Sequence, residues 1–163
     1  MGGLNTRRGS SPRPALEVAS TVWSPCYKSL INLIEGVQRR FTKRLFGLFD
    51  FSYQDRLILL KLNTLEHRRL LLDLHMVFKV LHGLVAVNAY DLFCRGNLST
   101  RGHSFKLVRP SVTLNCRKHF FAVRIIPVWN ALPTHVVEAP TFQSFKFRLK
   151  TVDLSTFLSV VSE

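Results

Sequence analysis

Acidic side chains are scarce. Ten Asp and Glu stand against 23 Lys and Arg, which leaves a formal net charge of +13. Such an excess draws polyanions to the surface by counterion release and electrostatic steering. Nucleic acid is the commonest partner of this kind, and an anionic membrane surface is second. Cysteine is scarce as well. Cys26, Cys94 and Cys116 are odd in number and widely spaced, which argues against a secreted disulfide framework and fits a reducing compartment. No apolar run approaches the ~18 residues of a membrane span, and Leu84 to Ala89 is far too short. The first residues contain no apolar signal core. An intracellular location, nucleus or cytoplasm, is expected.

Catalytic signatures are missing too. There is no phosphate-cradling glycine loop, no H-E-x-x-H and no G-x-S-x-G, so the usual anchors of nucleotide, zinc-hydrolase and serine-hydrolase chemistry are absent. No two Asp residues adjoin to hold divalent metals for phosphoryl transfer. Asp50, Asp55 and Asp73 are isolated and are expected at helix ends or on the surface. The expectation is therefore no enzyme activity, no catalytic residue, no cofactor and no small-molecule substrate.

What is present is apolar and periodic. Hydrophobic residues make up 47% of the chain, with 13 Phe, enough for a core. The expected fold is mainly α, a small helical bundle with a basic loop and a C-terminal helical segment. The divisions expected are a disordered basic arm at 1–14, a helical bundle at 15–94, a basic loop at 95–116, aromatic-rich helices at 117–152 and a tail at 153–163. In the arm, Gly2 and Thr6 match a myristoylation pattern, and Arg7, Arg8 and Arg13 match a transit peptide. A plain disordered arm is preferred over both.

Leu30, Leu33, Ile34, Val37, Phe41, Leu45 and Leu48 follow helical spacing. They predict a helix over about 27–46 whose apolar stripe faces the core. Glu35 precedes Arg39 by four residues, the spacing of a weak ion pair. Ser52 with Asp55, Thr64 and Thr141 predict three helix starts, and Gly47 and Gly83 predict stops. Leu74 and Phe78 mark the central helix. A further short helix is expected over 89–93 and a short strand over 104–108. Pro127 must kink or divide the helical pattern of 118–132. Phe145 and Leu149 of the last helix face inward, and Trp23 and Trp129 are assigned to the core.

The candidate site residues are cations. Arg39, Arg40, Lys43 and Arg44 cover about 140° of one helix circumference and suit phosphate contacts. Arg101, Lys106 and Arg109 do so in the basic loop. Arg117, Lys118 and Arg124 lie beside Phe120 and Phe121, a mixture that suits single-stranded nucleic acid. Cys94, His103, Cys116 and His119 are a conceivable zinc set. Without a tight Cys-x2-4-Cys knuckle, incidental cysteines and histidines are the better reading, with Cys94 buried.

The order of short strings adds a resemblance. Leu16-Glu17-Val18-Ala19-Ser20, Val22-Trp23-Ser24-Pro25 and Ile34 through Lys43 come first. Ser52 through Leu57, Leu65 through Leu70 and Phe78 through Leu84 follow. Val128-Trp129-Asn130-Ala131-Leu132-Pro133 is the most distinctive, and Ala139 through Phe142 with Ser144 through Leu149 closes the series. Together they resemble the C-terminal, post-thumb region of non-LTR retrotransposon reverse transcriptases of the jockey kind, over about residues 15–150. Val18, Cys26 and Pro127 depart from the pattern. The resemblance implies the tail of such a polymerase without its aromatic-x-Asp-Asp catalytic block or its endonuclease, with contacts to RNA or DNA and no chemistry of its own. The alternatives are a helical protein-interaction module meeting an acidic partner, or a transposon relic with no selected function.

The purified chain is expected to incorporate no nucleotide and cut no strand with magnesium or manganese. Template-dependent incorporation that survives stringent repurification contradicts this.

Overall fold

The computed structural model describes residues 19–96 and 102–159. It is mainly helical, with 53% helix and 3% strand. In chain order come α1 (Lys28–Lys43), α2 (Tyr53–Leu59), α3 (Leu65–Leu81), α4 (Ala89–Leu92), β1 (Cys94–Arg95) and β2 (Leu107–Val108). Then follow α5 (Asn115–Lys118), α6 (Phe121–Arg124), α7 (Ile126–Ala131), α8 (Thr134–Val137), α9 (Phe142–Leu149) and a 3-10 turn at Ser155–Phe157. The arm at 1–14, including Gly2, lies outside the described residues.

The helix starts follow from capping chemistry. Side-chain oxygens of Ser52, Thr64 and Thr141 accept from the backbone N–H of Asp55, His67 and Ser144. Each supplies a partner to an amide that the helix itself cannot satisfy. α3 ends where Gly83 adopts φ +65° and Leu84 N–H donates back to Lys79 O at 2.8 Å, a left-handed helix stop. Pro127 divides the helix. It lies in the first turn of α7, where its missing N–H would have been unpaired anyway, and Ile125 joins α6 to α7. α8, a single turn after Pro133, is not visible in the periodicity.

One apolar core spans the basic loop. Leu74, Val77 and Phe78 of α3 pack with Phe93, Leu107, Ile125, Trp129, Val136, Phe145 and Leu149. Leu107, within the expected loop at 95–116, is thus part of that core, with Phe105 packed against it. β2 is pinned to α7 by Asn130, whose side chain both accepts from Leu107 N–H at 2.9 Å and donates to Leu107 O at 2.8 Å. Trp129 donates to Phe105 O at 2.9 Å, and His103 donates to Trp129 O at 3.1 Å. The strand expected over 104–108 shortens to two residues, paired antiparallel with Cys94 and Arg95.

α1 corrects the largest expectation. Its buried residues are Ile31, Glu35, Gln38 and Thr42. Leu30 and Leu33 of the expected core stripe are exposed, and Ile34, Val37 and Phe41 are only half-buried. The reason is a polar seam. Glu35 accepts from Leu65 N–H at 2.8 Å, at the start of α3, and from the Tyr53 hydroxyl. Gln38 donates to Tyr53 Oη and to Asn63 O, each at 3.1 Å. Burial, reinforced by Glu35, raises the Tyr53 pKa, so Tyr53 keeps its proton and remains a donor. The expected pairing of Glu35 with Arg39 is replaced by these contacts. Trp23 is also corrected: it is 44% exposed, with Arg69 stacked over its ring.

Leu74→Ala is expected to cost about 2–5 kcal/mol, the range for a fully buried leucine. Leu33→Ala, on the expected core stripe, should stay within about 0.5 kcal/mol, as exposed positions do. Urea denaturation of both variants checks this, and a reversed order contradicts the orientation of α1.

Candidate nucleic-acid interface

Arg39, Arg40 and Lys43, on the last turns of α1, and Arg44, which caps it, are all exposed. The polar seam sets their direction: with Glu35, Gln38 and Thr42 turned inward, these four must turn out. None of them pairs with a carboxylate among the described residues. Arg39 lies over the Tyr53 ring at 5.1 Å and Lys43 over the Phe49 ring at 5.0 Å. Arg40 Nε donates to Gly36 O of its own helix, at 3.2 Å. Cations at a helix C-terminus also complement the macrodipole, so the helix itself favours charge there.

The other candidates separate. Arg101 lies outside the described residues. Lys106 is half-buried beside the loop turn, while Arg109, Arg117 and Lys118 are exposed. Arg124 is engaged elsewhere. It binds Asp73 through Nε at 3.1 Å and Nη2 at 2.9 Å, and reaches the backbone oxygens of Ser20, Thr21 and His119. It ties the segment before α1 and α6 to the middle of α3, so its charge is engaged within the fold. Of the two aromatics beside it, Phe121 is in the core with Arg124 5.8 Å from its ring centre, and Phe120 is exposed.

Asp73 is likewise neither surface nor helix-end. It is buried within α3, and burial raises its pKa to about 6 against the opposing charge and hydrogen bond of Arg124. Among the described residues no three His, Cys, Asp or Glu side chains are gathered to hold a metal. Cys94 is exposed, His103 is buried against Trp129, and the side chain of Cys116 lies outside the described part. A cavity of about 180 Å³ between α1 and α3, lined by Glu35, Arg69, Asp73 and Arg124 among others, is below the usual size of small-ligand sites. No helix among the described residues is long and apolar enough to cross a membrane.

Two surface features went unseen in the sequence. Phe46 and Phe49 stand exposed beside Arg40, Lys43 and Arg44. Their spacing to the cations lies across a turn, where helical periodicity says nothing. Lys79 and Lys146 flank the Phe142 ring at 4.7 and 5.7 Å, from helices far apart in the chain. His75 touches the same ring at 5.5 Å. Burial and these two lysines lower its pKa to about 4. Comparison with known proteins returned no match to a protein-family model, a curated protein or a solved structure.

The lowered His75 pKa predicts a pH dependence. The unfolded chain takes up the imidazole proton first, so stability falls as pH drops from 6.5 toward about 4. Asp73 works with the opposite sign between about 6 and 3.8, because the folded state holds its proton longer. His75→Gln should therefore lose less stability than wild type between pH 7 and pH 4.5 in urea titrations. Equal losses contradict a neutral, desolvated imidazole.

Proposed function

We propose that this chain is a non-catalytic nucleic-acid-binding module that grips RNA or DNA phosphates with the end of α1. The observation that carries this reading is the set of four exposed cations, Arg39, Arg40, Lys43 and Arg44, on one helix and its C-cap with no carboxylate partner among the described residues. A chain of net charge +13 gains by placing phosphates there, since each contact releases condensed counterions. The resemblance to the post-thumb region of non-LTR reverse transcriptases supports the same reading, as a segment lying beside template or target strands. Arg109, Arg117 and Lys118 extend the positive surface and act as secondary contacts. Such contacts position a strand without specifying its sequence.

One observation favours a second reading, a helical protein-interaction module. The apolar side of α1, with Leu30 and Leu33, is exposed next to Val22, Trp23 and Phe120. A partner with an apolar stripe and acidic flanks would suit that surface and the basic residues around it.

A salt titration separates the two. Arg40→Ala with Lys43→Ala should reduce the slope of log K against log [salt] by about 1.4 on a single strand. Binding should weaken similarly for unrelated sequences, with little change in stability because exposed charges contribute little. Superimposed curves for variant and wild type would remove α1 from the interface and favour the protein-partner reading.

A further inference from the structure

We propose that the turn closing α1 is a site for single-stranded nucleic acid, in which Phe46 and Phe49 stack on bases while Arg40, Lys43 and Arg44 hold the adjoining phosphates. This rests on the reading of α1 as a phosphate-binding helix and names the form of nucleic acid it takes.

The backbone builds the site. Leu48 N–H donates to Leu45 O at 3.2 Å and closes a four-residue turn. Gly47, third in that turn, has φ +76°, the left-handed backbone that a type II turn needs and side-chain-bearing residues rarely adopt. Leu45 and Leu48 are half-buried, whereas Phe46 is fully exposed and Phe49 is 66% exposed. The turn thus anchors its leucines and presents the phenyl rings of Phe46 within it and Phe49 just after it. Both rings share a shallow depression with Arg40, Lys43 and Arg44, and Lys43 Nζ lies 5.0 Å from the centre of the Phe49 ring.

Two phenyl rings in water forgo the large apolar burial that aromatic side chains provide. Their position among cations selects what covers them. A single strand offers both matching parts, since every base has a π face and every linkage a phosphate. A duplex hides its base faces in its own stack, so it meets the cations and leaves the rings bare. A second copy of this chain would bring the same three cations against each other. An acidic peptide answers the charges but carries no regular series of flat faces.

The test uses the full chain and three labelled probes of equal length: oligothymidylate, an abasic strand and a blunt duplex. Wild type should bind oligothymidylate about tenfold or more tightly than the abasic strand, since stacking on an aromatic side chain is worth at least that for one to two bases. Phe46→Ser with Phe49→Ser should bring oligothymidylate down to the abasic level. Its salt slope and its duplex affinity should not change. Phe46→Tyr with Phe49→Tyr, which keeps both rings, should restore binding. Circular dichroism and thermal unfolding establish that the serine variant is folded.

Equal wild-type affinity for oligothymidylate and the abasic strand overturns the stacking site, and so does wild-type affinity in the serine variant. Either result leaves phosphate binding by α1 to its own salt titration. If wild type binds neither strands nor duplex, the phosphate reading fails and this site fails with it. Self-association that the serine substitutions abolish, with strand binding intact, would make the patch an interface between copies and overturn the proposal.

Discussion

The buried carboxyl group of Glu35 holds the N-terminal half together. It meets Leu65 N–H, one of the amides that begin α3, and the hydroxyl of Tyr53 in α2. One side chain of α1 therefore satisfies the start of one helix and the first residue of another. A carboxyl group at a helix N-terminus also lies at the favourable end of the helix dipole. Once Glu35, Gln38 and Thr42 are inside, the remaining sides of α1 have nowhere to go but outward. Leu30 and Leu33 of the apolar side become exposed, Ile34, Val37 and Phe41 are half-buried, and the cations face solvent. Removing Glu35 would leave two donors unpaired in a buried place, a costly outcome because buried polar groups lose their water without compensation.

A second tether joins this half to the rest. Arg124 brings together Asp73, the backbone before α1 and the end of α5. Its charge is used internally, which distinguishes it from the cations of α1. The contrast shows how a strongly basic chain divides its arginines. Arg56 and Arg69 are buried, Arg56 donating to Thr42 and Phe51 and Arg69 stacking on Trp23. Those on the last turns of α1 keep their charge in solvent, where a polyanion can reach it. Position in the fold, and not residue type, decides which arginines are candidates for binding.

Much of the scaffold was legible. The caps at Ser52, Thr64 and Thr141, the stop at Gly83, the break at Pro127 and the burial of Leu74, Phe78 and Trp129 all follow from local chemistry and spacing. The candidate site was only partly legible. The four cations of α1 could be named from their spacing, but Phe46 and Phe49 could not be joined to them, since a turn lies between. Arg124 looked like a free cation because its partner Asp73 is 51 residues away.

The sequence by itself determined the helix starts at Ser52, Thr64 and Thr141, the stop at Gly83, a mainly α content and a richness in positive charge. These are local or additive properties, set by dihedral preferences, capping groups and composition. Only the tertiary structure decided which side of α1 is inside. Two sets of residues share the helical period there, the apolar set from Leu30 to Phe41 and a set, polar but for Ile31, of Ile31, Glu35, Gln38 and Thr42. Hydrophobicity alone chooses the first. The polar members of the second are buried because their hydrogen-bond partners, Tyr53, Arg56, Asn63 and Leu65, arrive from later in the chain, and no periodicity within α1 encodes them.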